Sequence, residues 1–280
     1  MTNYFSRKDV RNYLEEKILN SQIENEYFPF INIPNFLPDS LYQQVISQNP
    51  FKKIEGERWN NHLAKYFNYS EKTKYEKRYQ FDLKKLDNEN THEFYKFWRD
   101  YYLLFSDQDW FLKLIQAKFY NYFKFKYGHF FNDENYNFFE SKYFLQRHKK
   151  GYELSAHTDV PQRTLTALFS FPSKKGFEEY GTNILVPLKK NQRCTGFKHH
   201  NERNFKVVKK IDYSPNNFFI FFNTEFSFHS VSKFEKEIID DRFGMQIQFF
   251  EKDNIFEYIS SREMKTSKNT FGKFLKKLSK

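Results

Sequence analysis

The residues able to do chemistry gather in one stretch, Gly151-Tyr152-Glu153-Leu154-Ser155-Ala156-His157-Thr158-Asp159. His157 and Asp159 stand two apart, so on an extended strand both side chains leave the same face. A second imidazole, His229, follows 72 positions later inside Phe226-Ser227-Phe228-His229-Ser230-Val231, and Arg242 comes 13 positions after it at the head of an apolar strand. Two imidazoles and a carboxylate offer three ligands on one face of a metal ion and leave its other positions open. Such a set suits non-heme Fe(II) that must also take a chelating co-substrate and O2.

The elements that must position these residues read as strands. Beyond residue 141 the pattern has period two: residues 143–147 form a strand, a turn follows at Lys149-Lys150-Gly151, and the His157-Thr158-Asp159 stretch is a strand or its end. Residues 163–171 alternate, residues 183–188 form another strand entered through Gly181-Thr182, and residues 217–223 are apolar enough to be buried on both faces. Residues 242–251 alternate again. Gly244, Gln246 and Gln248 share the Arg242 face, while Phe243, Met245, Ile247 and Phe249 turn the other way into packing.

Upstream, residues 6–26 carry Val10, Tyr13, Leu14, Ile18 and Leu19 at helical spacing, with Ser6 placed to cap. Residues 28–38 form a strand edged by prolines, and Asp39 or Ser40 caps a helix over 41–48 that Pro50 stops. Residues 51–90 read as strands and loops. Residues 91–131 hold two helices divided at Ser106-Asp107-Gln108-Asp109, expected to pack on the outside of a sheet. The expected fold is mainly β with supporting α, a two-sheet sandwich: helical support over 1–140, the sheet core over 141–251 and a basic tail over 261–280, all in one domain.

Composition sets the broader bounds. The net charge is +11, which raises nucleic acid, anionic membrane or acidic substrates as partners. Lys, Asn, Phe and Tyr are abundant together, however, as an AT-rich coding sequence gives without any partner, and nucleic acid is not expected. Aromatics make up 21% of residues, so the core is built from rings more than from aliphatics. The single cysteine, Cys194, permits no intrachain disulfide, and with no signal pattern at the N-terminus a cytoplasmic location is expected. The tail carries seven Lys or Arg against one Glu, with Phe271, Phe274, Leu275 and Leu278 on one stripe. It is expected to pack or fray rather than lie on a membrane. His199 and His200 near Cys194 lack the paired spacing of a zinc site and read as loop or entrance residues. Arg163 reads as structural or substrate-facing.

The combination of His157, Asp159, His229 and Arg242 resembles the Fe(II)- and 2-oxoglutarate-dependent oxygenases, in particular their prolyl-4-hydroxylase-like branch. The likeness extends over Arg163-Thr164-Leu165-Thr166-Ala167-Leu168-Phe169, over Gly181-Thr182 and over Asn217-Phe218-Phe219-Ile220-Phe221, and further back to Phe28-Pro29-Phe30. The resemblance implies a double-stranded β-helix, or jelly roll, that uses Fe(II), 2-oxoglutarate and O2 and releases succinate and CO2. It implies that His157, Asp159 and His229 are the catalytic metal ligands and that Arg242 grips the distal carboxylate of 2-oxoglutarate. Retention of Asp159 favours hydroxylation, since related halogenases lose that carboxylate.

The chain departs from this pattern where relatives carry a Tyr nine residues before the first histidine, here His148, and another after the ligand strand, here Ser170. Thr166, Ser170, Tyr143 and His148 are the candidate co-substrate contacts beside Arg242, with Gln146 and Arg147 weaker choices near the mouth. The substrate is expected to be small or attached to a polymer, its identity and the oligomeric state being open. Residues 189–212 and a helical region near 132–140 are expected at the entrance. The alternative is a catalytically silent jelly-roll module that binds an acidic glycan or nucleic acid through its basic surface.

Overall fold

The computed structural model describes residues 7–49, 77–86, 93–128, 131, 139–194, 196, 198–235 and 242–252. Pre-strand helices and strands are α1 (Arg7–Asn20), β1 (Phe30–Ile33), α2 (Asp39–Ser47), β2 (Arg78–Asp82), α3 (Glu93–Phe105), α4 (Lys113–Lys118) and α5 (Tyr120–Tyr127). The remaining strands are β3 (Phe139–His148), β4 (Leu154–His157), β5 (Arg163–Ser170), β6 (Thr182–Pro187), β7 (Phe205–Ile211), β8 (Asn217–Phe222), β9 (His229–Val231) and β10 (Arg242–Glu251). They form two antiparallel sheets, ordered β1-β8-β5-β10-β3-β2 and β4-β9-β6-β7, which is a jelly roll with helices on one side.

The alternation along β10 divides the larger sheet into two chemically different faces. Phe243, Met245, Ile247 and Phe249 are at most 2% exposed and pack in one cluster with the helices. Trp98 of α3 meets Phe243 edge-on at 6.0 Å and donates its indole N–H to the Gln48 carbonyl at 2.8 Å, fixing the helical layer behind β10. On α1, Val10, Leu14 and Ile18 repeat every fourth residue and are buried in this layer. The opposite face meets the smaller sheet through Phe30, Phe219 and Phe221 against Ile184 and Ile211. In β8 successive residues serve both clusters, so the whole strand is buried.

Several elements differ from the sequence expectation. β1 and β2 fall where strands were expected, but they join the larger sheet rather than lying apart from the sheet core placed over 141–251. Pro38, not Asp39 or Ser40, occupies the cap position of α2, and no side chain caps it. The break at 106–109 is a turn capped by Asp107 that continues into a π-helical segment, Gln108–Leu112, and a second break at Phe119 separates α4 from α5. Residues 189–212 are not all loop, because β7 pairs with β6. Phe139 and Glu140 open β3 rather than closing a helix. Ser6, Pro50, residues 132–138 and the tail over 261–280 lie outside the described residues.

Truncating Trp98 removes the ring that buttresses β10 directly behind Arg242. Trp98→Ala is expected to cost about 3–5 kcal/mol in urea unfolding, the range for large aromatics in a packed core.

Candidate active site

The two histidines are brought together by strand pairing. His157 at the end of β4 lies opposite His229 at the start of β9, with ring centroids 4.3 Å apart. Each ring turns its Nδ1 toward the carbonyl two residues upstream, His157 to Ser155 and His229 to Ser227, both at 2.9 Å. Those carbonyls place the imidazole hydrogen on Nδ1 and leave the Nε2 lone pair for a ligand. Asp159 is not on the strand with His157, as the two-residue spacing suggested; it lies in the turn after β4. One ligand atom from each of His157, Asp159 and His229 nonetheless falls within 4.8 Å of the others, and all three residues are buried.

A buried carboxylate needs partners, and Asp159 has two. Arg163 Nη1 donates to its Oδ1 at 2.7 Å, and Thr166 Oγ1 donates to its Oδ2 at 2.5 Å. Burial would raise the Asp159 pKa, but Arg163, the two imidazoles and the Thr166 hydroxyl hold it down at about 2. Burial and the neighbouring His229 lower His157 to about 3, Asp159 opposing them. At neutral pH His157 is therefore a neutral imidazole and Asp159 a carboxylate, the protonation states that bind a divalent ion. Arg163 thus serves the ligand shell, and Thr166 touches Asp159 rather than assisting Arg242.

The turn that carries Asp159 is tied to the segment that carries His229. Asn223 Nδ2 donates to the Asp159, Val160 and Arg163 carbonyls at 3.2, 3.1 and 2.9 Å. Its Oδ1 accepts from Ser227 Oγ at 2.8 Å, and the Ser227 carbonyl is the one that orients His229. Gly196, at φ +78°, presses on the same turn: a Cβ there would lie 2.2 Å from the Asp159 carbonyl oxygen. His199, read as a loop residue, stacks on the His157 ring at 4.7 Å. The sequence reading missed Asn223 and Ser227, which are chemically plain and gain meaning only through this junction.

Arg242 faces the same interior from β10. Its Nε donates to the Tyr180 carbonyl at 2.9 Å, its Nη1 lies 3.0 Å from His148 Nδ1, and its guanidinium sits over the Tyr213 ring at 5.1 Å. Among the described residues no carboxylate pairs with it. His148 is pushed well below its ordinary pKa, first by burial and then by Arg242 and Arg78. The ring is therefore neutral with Nδ1 accepting, which puts its hydrogen on Nε2, a buried atom without a hydrogen-bond partner among the described residues. Ser170, Gly181, Thr182 and Gly244 line the same small cavity as Arg242 and His148. A Cβ on Gly244 would approach the Phe169 carbonyl oxygen to 2.4 Å, so the close strand contact there requires glycine. Tyr143, like Thr166, does not line this cavity: it faces the helical side, edge-on to Tyr102 at 5.1 Å, with its hydroxyl 3.4 Å from the Phe105 carbonyl.

No family model matches the chain, and no curated protein matches its sequence. Solved structures resemble it in fold. HygX from Streptomyces hygroscopicus, solved with nickel and 2-oxoglutarate bound, aligns over 82% of this chain and 85% of its own at 9% identity and a TM-score of 0.46. A prolyl-4-hydroxylase of Pseudomonas putida aligns over 85% and 93% at 12% identity and a TM-score of 0.40. A putative oxygenase from Shewanella oneidensis aligns over 93% and 94% at 10% identity and a TM-score of 0.45. At such distances the functional reading rests on the side chains of this chain alone.

Two outcomes follow from this geometry. Asn223→Ala should lower the affinity for Ni(II), measured by titration calorimetry, by about 10–100-fold, the range for support groups behind metal ligands. The metal-free protein should lose stability on acidification. The folded His157 refuses a proton that the unfolded chain takes below about pH 6.5, so its contribution is complete above that value and disappears as pH falls toward about 3. His148 acts with the same sign. Urea midpoints taken with chelator near neutrality and near pH 5 check this, and equal midpoints would contradict it.

Proposed function

We propose that this protein is a non-heme Fe(II)- and 2-oxoglutarate-dependent dioxygenase that hydroxylates an unidentified small-molecule, sugar or peptidyl substrate. One observation carries the reading: a buried two-histidine, one-carboxylate set whose Nδ1 atoms are committed to backbone carbonyls, leaving Nε2 for a ligand, lies between the same two sheets as a guanidinium to which no carboxylate of the described chain is paired. His157, Asp159 and His229 would hold Fe(II), and two imidazoles with a carboxylate are a donor set that fits it. Arg242 would hold the distal carboxylate of 2-oxoglutarate, its planar fork matching that group. The bare Nε2–H of His148 and the Ser170 hydroxyl offer further donors along the same cavity.

When bound, iron with 2-oxoglutarate and O2 supplies the oxidising power, releasing succinate and CO2. The protein supplies placement. Arg163 and Thr166 keep Asp159 ionised and oriented, and Ser155 and Ser227 fix the imidazole tautomers. The aromatic layers on either side of the larger sheet keep bulk water from the interior. Gly181, Thr182 and Gly244 line the cavity beside Arg242. The reading includes a single domain and, on the single cysteine, a cytoplasmic setting.

Anaerobic titration and turnover assays test it. The protein supplied with Fe(II) and 2-oxoglutarate should form succinate, and His157→Ala or Asp159→Ala should abolish this. Arg242→Lys should raise the half-saturating 2-oxoglutarate concentration about 10–100-fold, as expected from about 1.5–3 kcal/mol lost with a charge-assisted pair. No binding of 2-oxoglutarate to the Fe(II)-loaded protein would overturn the reading.

A further inference from the structure

We infer that the part of the larger sheet reaching beyond the cavity is the subsite for the substrate to be oxidised, and that it takes a neutral, hydroxyl-rich ring of the sugar or cyclitol type. The inference rests on the oxygenase reading for what happens to that substrate, while its binding evidence is separate. The larger sheet carries β3 and β2 outward from β10. On its inner face stand four glutamines, Gln80 on β2, Gln146 on β3, and Gln246 and Gln248 on β10.

Their carboxamides are wired together. Gln246 Oε1 accepts from Gln146 Nε2 at 2.6 Å, from Gln248 Nε2 at 2.7 Å and from Arg78 Nη2 at 3.1 Å. In the amide orientation its neighbours require, the Gln80 oxygen accepts from Gln146 Nε2 at 2.7 Å and from the Arg78 guanidinium. The array runs inward to the ion site, because Gln248 pairs in register with Thr166, which holds Asp159. It also reaches the cavity of Arg242, which Gln146 lines.

The wiring fixes four long side chains and leaves half of their capacity unspent. Both Gln146 Nε2 hydrogens are committed, and Gln246 Oε1 is saturated. Gln246 Nε2, Gln146 Oε1 and Gln248 Oε1 have no hydrogen-bond partner among the described residues, and none is among the fully sealed polar atoms. Gln146, Gln246 and Gln248 are nevertheless only 6–7% exposed. A partly satisfied polar array in so enclosed a place is worse for stability than an apolar wall, which points to a ligand that completes it.

The unspent groups select its chemistry. They offer N–H donors and carbonyl acceptors side by side, and a hydroxyl both donates and accepts, so vicinal hydroxyls satisfy both kinds at once. An ammonium would need a carboxylate, and the Asp82 carboxylate on this face is already turned to the Lys84 amide. An apolar substrate would leave the amides stranded, the situation that gives polar sites their strongest discrimination. Spread over three adjacent strands, the groups form a patch about one ring wide, since strands lie ~4.8 Å apart, and not a linear row for an extended peptide.

The test uses the full chain loaded with Ni(II) and 2-oxoglutarate, and saturation-transfer NMR with methyl hexopyranosides, myo-inositol, sucrose and, as the competing class, N-acetyl dipeptide amides. Binding of at least one polyol, weakened about tenfold or more in Gln246→Met and in the half-exposed edge variant Gln80→Met, is the expected result. Cooperative thermal unfolding shows that each variant folds. Binding of the dipeptide amides alone, of no probe at all, or of polyols equally well to both variants overturns the subsite. Separate calorimetry with 2-oxoglutarate keeps the two readings apart: if it binds and no polyol does, only the subsite fails, and if it does not bind while polyols do, only the oxygenase reading fails.

Discussion

The structure depends on keeping one carboxylate ionised in a dry interior. Moving such a charge out of water is costly, and Asp159 is stable there because a guanidinium holds one oxygen and a hydroxyl the other. Both donors come from β5, and the strand that carries them is locked between β8 and β10. The position of the carboxylate is therefore inherited from the centre of the larger sheet, although its own backbone belongs to the turn leaving the smaller one. Asn223 completes the joint from the end of β8 by donating to two carbonyls of that turn and to the first carbonyl of β5. The ligand set is thus a contract between two sheets, with neither able to shift alone.

The aromatic excess has a structural use in this arrangement. Rings fill the helical side of the larger sheet in a continuous mesh, with Phe36 stacked on Phe218 at 4.2 Å and Phe105 edge-on to Phe169 at 5.1 Å. A stiff apolar backing lets the other face of the same strands carry Arg242, His148 and the glutamines without the sheet yielding around them. The polar inner face and the ring-filled outer face are two consequences of one alternation.

Much of this was legible in the amino-acid order. The period-two stretches yielded β5 and β10 and the continuous apolar run yielded β8, each to within a residue or two, and the ligands and Arg242 stood out because imidazole, carboxylate and guanidinium are rare at such spacings in otherwise apolar strands. The less visible features were those created by the meeting of distant segments. Thr166 reads as any strand hydroxyl until Asp159 arrives beside it, and Tyr143 reads as a site residue until the register with Ile247 turns it toward the helices. β7 hid in a run of lysines and valines whose pattern is set by a half-exposed edge of the smaller sheet, where tertiary context outweighs local preference. The turn of Asp159 also escaped, because the spacing rule assumes a strand that here stops at His157.

Because β10 pairs without interruption from Arg242 to Phe249 along β3, its register fixes where along the sheet the Arg242 guanidinium stands. Adding or deleting one residue within that span would swing Arg242 into the ring layer beside Trp98, and a change of two would displace it by about 6.6–6.8 Å along the strand. The position of the guanidinium along the sheet can therefore change only in coarse, whole-pleat increments. Descendants of this chain can vary their loops and the glutamine face freely, while the place of the Arg242 guanidinium stays quantised by the pitch of a single strand.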